Sequence, residues 1–215
     1  TVANFPAWFR NSLIIGAATC VISTLFVLMV AYAMSCMRFP ARKQLMSIAI
    51  ILGMFPGVLS MIAIYFVMKL LGLTDSMAGL IIIYSAGSGL GYLICKGLFD
   101  TISVSLRESA KLEGASELSI VVKIVIPLSK PIVVYTVINA FLNPWMDFVM
   151  AKLMIRSKNP ADWTVAMGLY NLVQRTLVGD YFSVFCAGGV IVAIPISILF
   201  IIMQKFYVEG ITGGA

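Results

Sequence analysis

Between Arg10 and Arg38 lies an apolar run, Asn11–Met37, with no charged residue in it. In a helix that run is longer than the roughly 30 Å core of a bilayer, which needs about 20 apolar residues. A helix is also the one open-ended element that satisfies all its backbone hydrogen bonds inside lipid. Four further stretches follow the same rule: Gln44–Met68, Ser76–Cys95, a segment from Pro131 to its first charge at Asp147, and Tyr181–Gln204. The Pro131 segment is short and crosses only if it extends back towards Pro127 or on to Ala151. Met54-Phe-Pro-Gly57 predicts a kink or an unwound turn in the second span, serving either cavity shape or packing.

Composition supports this reading. Of 215 residues, 61% are hydrophobic and 11% charged, against about 25% charged in soluble domains. The expected fold class is therefore all-α: a polytopic transmembrane helical bundle with five spans visible. The net charge of +6 reads as basic loops, and no basic tract points to nucleic acid. There is no histidine, which removes the commonest acid–base group and metal ligand. Cys20, Cys36, Cys95 and Cys186 form no Cys-x-x-Cys pair and read as packing residues rather than metal ligands or disulfides. No catalytic site and no metal site are expected.

The loops set an orientation. With the N-terminus outside, the inner segments 38–43, 96–130 and 205–215 hold Arg38, Arg42, Lys43, Lys96, Arg107, Lys111, Lys123, Lys130 and Lys205, as the positive-inside rule requires. This places the chain in the plasma membrane with its C-terminus cytoplasmic. The outer segment Lys152–Asp180 is long, and Trp163, Tyr170 and Leu172 suggest a short amphipathic helix at the interface.

The inner segment Lys96–Lys130 is too long for a turn. Before Gly114 it has a helical pattern, with Glu108 and Lys111 spaced to pair. Gly114 allows a turn, and Ser116 is an N-cap for a second helix that enters the membrane past Pro127. On this pattern alone, a plain connecting hairpin and a mechanical element are equally open.

Glu108-Ser-Ala-Lys-Leu-Glu-Gly114, nine residues, then Ile124-Val-Ile-Pro127 resembles the "EAA" loop of ABC-importer permeases. Glu108, Ala110, Gly114, Ile124 and Pro127 match in type and spacing. Ser109, Glu113 and Ile126 are mild departures. Lys96-Gly-Leu-Phe-Asp-Thr-Ile102, Trp145-x-x-Phe148, the Trp163–Leu169 stretch and the tail Gln204–Gly214 resemble the maltose/maltodextrin-type sugar permeases. The resemblance implies a six-helix subunit, with one helix preceding Thr1 and a few residues following Ala215. Residues 103–127 would form the coupling loop, docked on a separate ATPase that binds ATP and Mg. Gly114 would give the turn, Ile124 and Pro127 the anchor, Ala110 close approach and Glu108 a charged contact. Glu209, Gly210, Thr212 and Gly213 would reach the ATPase as an extended tail. The implied partners are two ATPase subunits, a second permease subunit, an extracellular solute-binding protein, a sugar and membrane lipid. This chain itself would hold no cofactor.

Polar groups inside a span are costly and often functional. Tyr135, Asn139, Asn143 and Asp147 recur every four residues and share one helical face, a candidate lining for the solute path. The competing reading has Asn139 and Asn143 bridging to another helix. Ala86–Gly91 and Gly188-Gly189 read as small residues for close helix packing. There is no Gly-x-x-x-x-Gly-Lys-Ser/Thr run, so an importer subunit would depend on an external ATPase. The alternatives are a permease for another solute class and a secondary transporter, for which Asp147 is the nearest ion-coupling carboxylate.

Overall fold

The computed structural model describes residues 4–87 and 91–212. Among them there is helix and turn but no strand. Helix α1, Phe5–Cys36, is the central pillar and packs against α4 (Met77–Ala86), α5 (Gly91–Phe99), α9 (Lys130–Met146) and α11 (Val165–Leu172). Helix α12, Val178–Thr212, lies against α9 and α11.

Helices α1 and α12 are each long and apolar enough to cross a bilayer. Three bent helix pairs raise the number of crossings to five if each pair is one. The bend in the second span is larger than a kink. Helices α2 (Arg42–Gly53) and α3 (Gly57–Leu70) lie 108° apart. Pro56 has no N–H for the helix ladder, and its ring steers Phe55 out of the helical region. At 12 and 14 residues, neither arm alone covers the roughly 30 Å of bilayer core.

The two ends of the bundle differ. At one end, Trp8 is fully buried, its indole N–H donates to the Pro160 carbonyl at 2.7 Å, and its ring stacks on Trp163. Asn11 donates to the carbonyls of Ala161 and Trp163 at 2.8 and 3.0 Å. Gly168 lies so close that an added Cβ would sit 2.1 Å from the Trp8 ring. Helix α11 is therefore docked into the bundle, with Val165, Met167 and Leu172 buried. Of the three residues expected at an interface, Tyr170 alone is half exposed, and Leu172 is fully buried. The apolar face of this short helix covers α1, and that burial decides its place.

At the opposite end, a second apolar cluster joins Val27, Ala31 and Tyr32 of α1 to Cys95 and Phe99 of α5, and to Ile120 and Val125. Lys96 bonds Asp100 at 2.5 Å, and Ser35 donates to the same carboxylate at 2.6 Å. Burial works to raise the Asp100 carboxyl, but the bonds from Lys96 and Ser35, with the charges of Lys96 and Arg42, hold it below its usual value.

The small-residue segments behave unequally. An added Cβ at Gly188 would press on Leu169 at 2.7 Å and Phe5 at 3.0 Å, whereas at Gly87 and Gly189 it would meet nothing within 4 Å among the described residues beyond their chain neighbours. Gly87 and Gly91 border a cavity rather than a tight helix contact, and residues 88–90 lie outside the described set.

Candidate functional site

The segment between α5 and α9 folds as a helical hairpin. Its first arm is α6, Val104–Leu112; its second is α7, Glu117–Ile120, continued by a π-helical turn Val121–Val125 and α8, Ile126–Leu128. Gly114 makes the turn at φ +85°, where a side chain is strained. The Ala115 N–H donates to the Ala110 carbonyl at 2.9 Å, and the Gly114 N–H to the Lys111 carbonyl at 3.0 Å. These two bonds form a Schellman motif. Ala110 and Ala115, the two ends of the motif, both pack on the same core cluster. Ala110 is thus half-buried and faces inward. Ser116 caps the second arm, accepting from the Ser119 N–H at 3.2 Å.

The second arm is fixed by burial. Ile120 and Val125 are fully buried, and Ile124 packs beside them. Pro127 is exposed, and its missing N–H leaves no bond to the Lys123 carbonyl. Immediately before it the helix widens, and Ile126 bonds back to Val121, five residues earlier. The arm does not run straight into the next span. It turns by 91° at the buried Ser129, and α9 starts at Lys130 with Pro131 in its first turn.

One carboxylate ties this hairpin to the bundle. The buried Tyr32 of α1 donates to Glu117 at 2.5 Å, and Lys111 of the first arm pairs with the other oxygen of Glu117. The pairing of Lys111 with Glu108 expected from spacing is replaced by this one, because Gly114 folds the second arm back beside the first. Lys111, then Tyr32, hold the Glu117 carboxyl below its usual value against partial burial. Glu108 is exposed on the same face of α6 as Val104, Arg107 and Lys111. At the tip, Leu112 is 90% exposed, and Leu118 beyond the turn is 72% exposed. Neither leucine was marked by the sequence pattern, although apolar side chains in a polar loop were the available signal.

The polar face of α9 divides. Tyr135, Asn139 and Asn143 line one cavity of about 550 Å³, with Ser23 and Val27 of α1 and Tyr84 of α4 opposite. The Asn139 amide donates to its own helix, at the Tyr135 carbonyl, 2.8 Å away. Both asparagines are exposed to the cavity. Asp147 leaves this face. Pro144 sits in the last turn of α9, and the backbone becomes extended at Asp147. Its carboxylate accepts from the Tyr84 hydroxyl at 2.9 Å and from the Met150 N–H at 3.1 Å, capping α10 (Val149–Met154). Asp147 is therefore a brace between α4 and α10 rather than a fourth lining group.

The expected tail is also corrected. The backbone through Glu209, Gly210 and Thr212 is helical within α12 and not extended. One glycine costs a helix only about 1 kcal/mol relative to alanine. Gly213 lies outside the described residues.

A polytopic helical bundle with a braced hairpin joined at 91° to a polar-lined helix is compatible with a membrane transport subunit. The chain belongs to the family described as binding-protein-dependent transport system inner membrane component, whose model matches residues 23–212. It is 36% identical over 212 residues to the galactooligosaccharides transport system permease protein GanQ of Bacillus subtilis, covering 98% of this chain and 74% of that one. It is 35% identical to the maltodextrin transport system permease protein MalD of Streptococcus pneumoniae, covering 100% of this chain and 76% of the other. The maltose/maltodextrin permease MalG of Escherichia coli is 33% identical, with 100% and 74% coverage. Among solved structures, a bacterial ABC transporter that imports the acidic polysaccharide alginate matches with a TM-score of 0.76 and 25% identity, over 94% of this chain and 75% of that one.

Proposed function

We propose that this chain is one permease half of an ATP-driven importer for sugars, of the maltodextrin or related oligosaccharide class. The observation that carries this reading is the hairpin, braced by Gly114 and Glu117 and joined at 91° to the span that bears Asn139 and Asn143. A push on the hairpin tip turns α9 about Ser129 and so moves the cavity wall. The names of the relatives support the choice of sugar, and asparagine and tyrosine side chains suit hydroxyl-rich solutes as hydrogen-bond partners.

In this reading the hairpin faces the cytoplasm, the Trp8 end faces outside, and the subunit lies in the plasma membrane. Two separate ATPase subunits bind ATP and Mg and seat the exposed tip, with Leu112 and Leu118 as apolar contacts beside Glu108. A second permease half completes the path, and an extracellular solute-binding protein delivers the sugar. This chain catalyses nothing itself. The engagement of Asp147 with Tyr84 and Met150 argues against a proton- or ion-coupled carrier built on that carboxylate.

The test is a cysteine at Leu112, crosslinked to the ATPase in the assembled transporter, together with uptake under separate collapse of the proton gradient and of ATP. Crosslinking, and uptake that needs ATP alone, are expected. Uptake that fails when the gradient collapses with ATP maintained would overturn the reading.

A further inference from the structure

Beside the hairpin lies a cavity of about 510 Å³ that transport by α9 does not use. Its floor is one face of α6, with Val104, Arg107, Glu108 and Lys111 at helical spacing. Its other walls are the end of α1, including Tyr32, and the turn that carries Arg38 and Arg42. Four cations therefore face two carboxylates, Glu108 and Glu117. Lys111 and Glu117 neutralise each other as a pair. Arg38, Arg42 and Arg107 remain against Glu108, with Arg42 also in the field of Asp100 and Arg107 in that of Glu117. Arg42 spends one N–H on the Met37 carbonyl at 3.3 Å. The Nε of Arg107 is buried and has no hydrogen-bond partner among the described residues, a state that costs free energy for a charged donor.

We propose that this cavity is a binding site for a phosphate group. Three guanidinium groups, two on the Arg38–Arg42 turn and one on α6, match the charge and planar geometry with which arginine recognises phosphate. Met37, Cys36 and Val104 give the cavity an apolar rim, which suits the ester side of a phosphodiester. Two sources offer this chemistry. One is the headgroup of an anionic phospholipid, since the cavity opens at the end of a membrane-crossing helix among basic residues. The other is free phosphate. Either would clamp the α1 end and the Arg38–Arg42 turn to the first arm of the hairpin. The site rests on the cavity alone, whereas any effect on coupling rests on the function proposed above.

The experiment uses the whole transporter in phosphatidylcholine nanodiscs, as wild type and as Arg38→Gln/Arg42→Gln. One arm adds phosphatidylglycerol and counts retained molecules by native mass spectrometry. A second arm adds inorganic phosphate and reads the melting temperature against chloride of equal ionic strength. A selective gain in the wild type, lost in the variant, is expected in at least one arm. The loss of phosphatidylglycerol retention should be about 25-fold, roughly fivefold for each basic residue removed near an anionic surface. A gain in the first arm alone identifies the lipid, and a gain in the second identifies a small anion. Equal behaviour of wild type and variant in both arms overturns the proposal. So does a variant that merely releases the ATPase, which would assign the cavity to a partner carboxylate.

Discussion

The hydroxyl of Tyr32, buried in the central helix, donates to Glu117 at the start of the hairpin's second arm, 2.5 Å away. The same carboxylate pairs with Lys111 of the first arm. One acidic group therefore joins a membrane helix to both arms. Tyr32→Phe removes the donor and keeps the ring. The hydrogen bond is to a charged acceptor but is partly open to water, so its loss should cost about 1 kcal/mol. The expected outcome is a lower melting temperature of the purified transporter and less sugar moved per ATP hydrolysed. An unchanged ratio of uptake to hydrolysis would remove Tyr32 from force transmission.

The same carboxylate gives a pH dependence. Lys111 and Tyr32 depress the Glu117 carboxyl in the folded state. A depressed carboxyl contributes stability that is fully present above its unfolded value, about 4.3, and is lost as pH falls through the lower folded value. Between pH 7 and 5 the difference in melting temperature between wild type and Glu117→Gln should be constant. Below about pH 4.3 it should shrink. A difference that instead shrinks between pH 7 and 5 would show that another group is titrating.

Gly114 is needed for its backbone and not for its size. Its φ is +85°, yet among the described residues no atom beyond its chain neighbours lies within 4 Å of an added Cβ. Gly114→Val should cost about 1–2 kcal/mol from the left-handed conformation, and Gly114→Asn less, because asparagine tolerates that region better. Uptake should follow the same order. Equal losses in both variants would point to contact with a partner rather than to the turn.

These residues also show what could be read from sequence. The Gly114 turn and the Ser116 cap depend on chemistry within a few positions, so the pattern sufficed. Ile124 was marked by the family spacing rather than by periodicity, and it packs on the hairpin's core cluster. The Tyr32–Glu117 bond joins residues 85 positions apart, and nothing in either local segment announces it. A kink or unwound turn at Met54–Gly57 was legible from Pro56, but not its angle of 108°, because proline signals a break and not its size. Asp147 fitted the period of Tyr135, Asn139 and Asn143, but α9 ends at Met146 and the backbone is extended at Asp147.

The polar face of α9 now separates into two roles that mutation can tell apart. Asn139→Ala and Asn143→Ala remove cavity-facing amides with little packed around them. Uptake or solute preference should change while the transporter assembles normally. Asp147→Ala should cost about 2–4 kcal/mol, from a lost helix cap and an orphaned Tyr84 hydroxyl. It should lower the melting temperature and the yield of assembled complex. If the asparagine variants fail in assembly instead, these side chains hold helices together and the solute path lies elsewhere.

Gly168 tests the Trp8 end of the bundle independently of the hairpin. Its Cα lies against the indole of the fully buried Trp8, and a Cβ there would come within 2.1 Å of ring carbons. The ring cannot retreat freely, since its N–H is bonded to Pro160 and its face is stacked on Trp163. Gly168→Ala must therefore displace α11 or break both contacts, at about 1–3 kcal/mol for overpacking of this kind. A lowered melting temperature is expected. The hairpin lies at the opposite end of α1, so ATPase association, read by crosslinking through a cysteine at Leu112, should persist in Gly168→Ala complexes below their melting temperature. Loss of that crosslink would mean that α1 carries strain from one end of the bundle to the other.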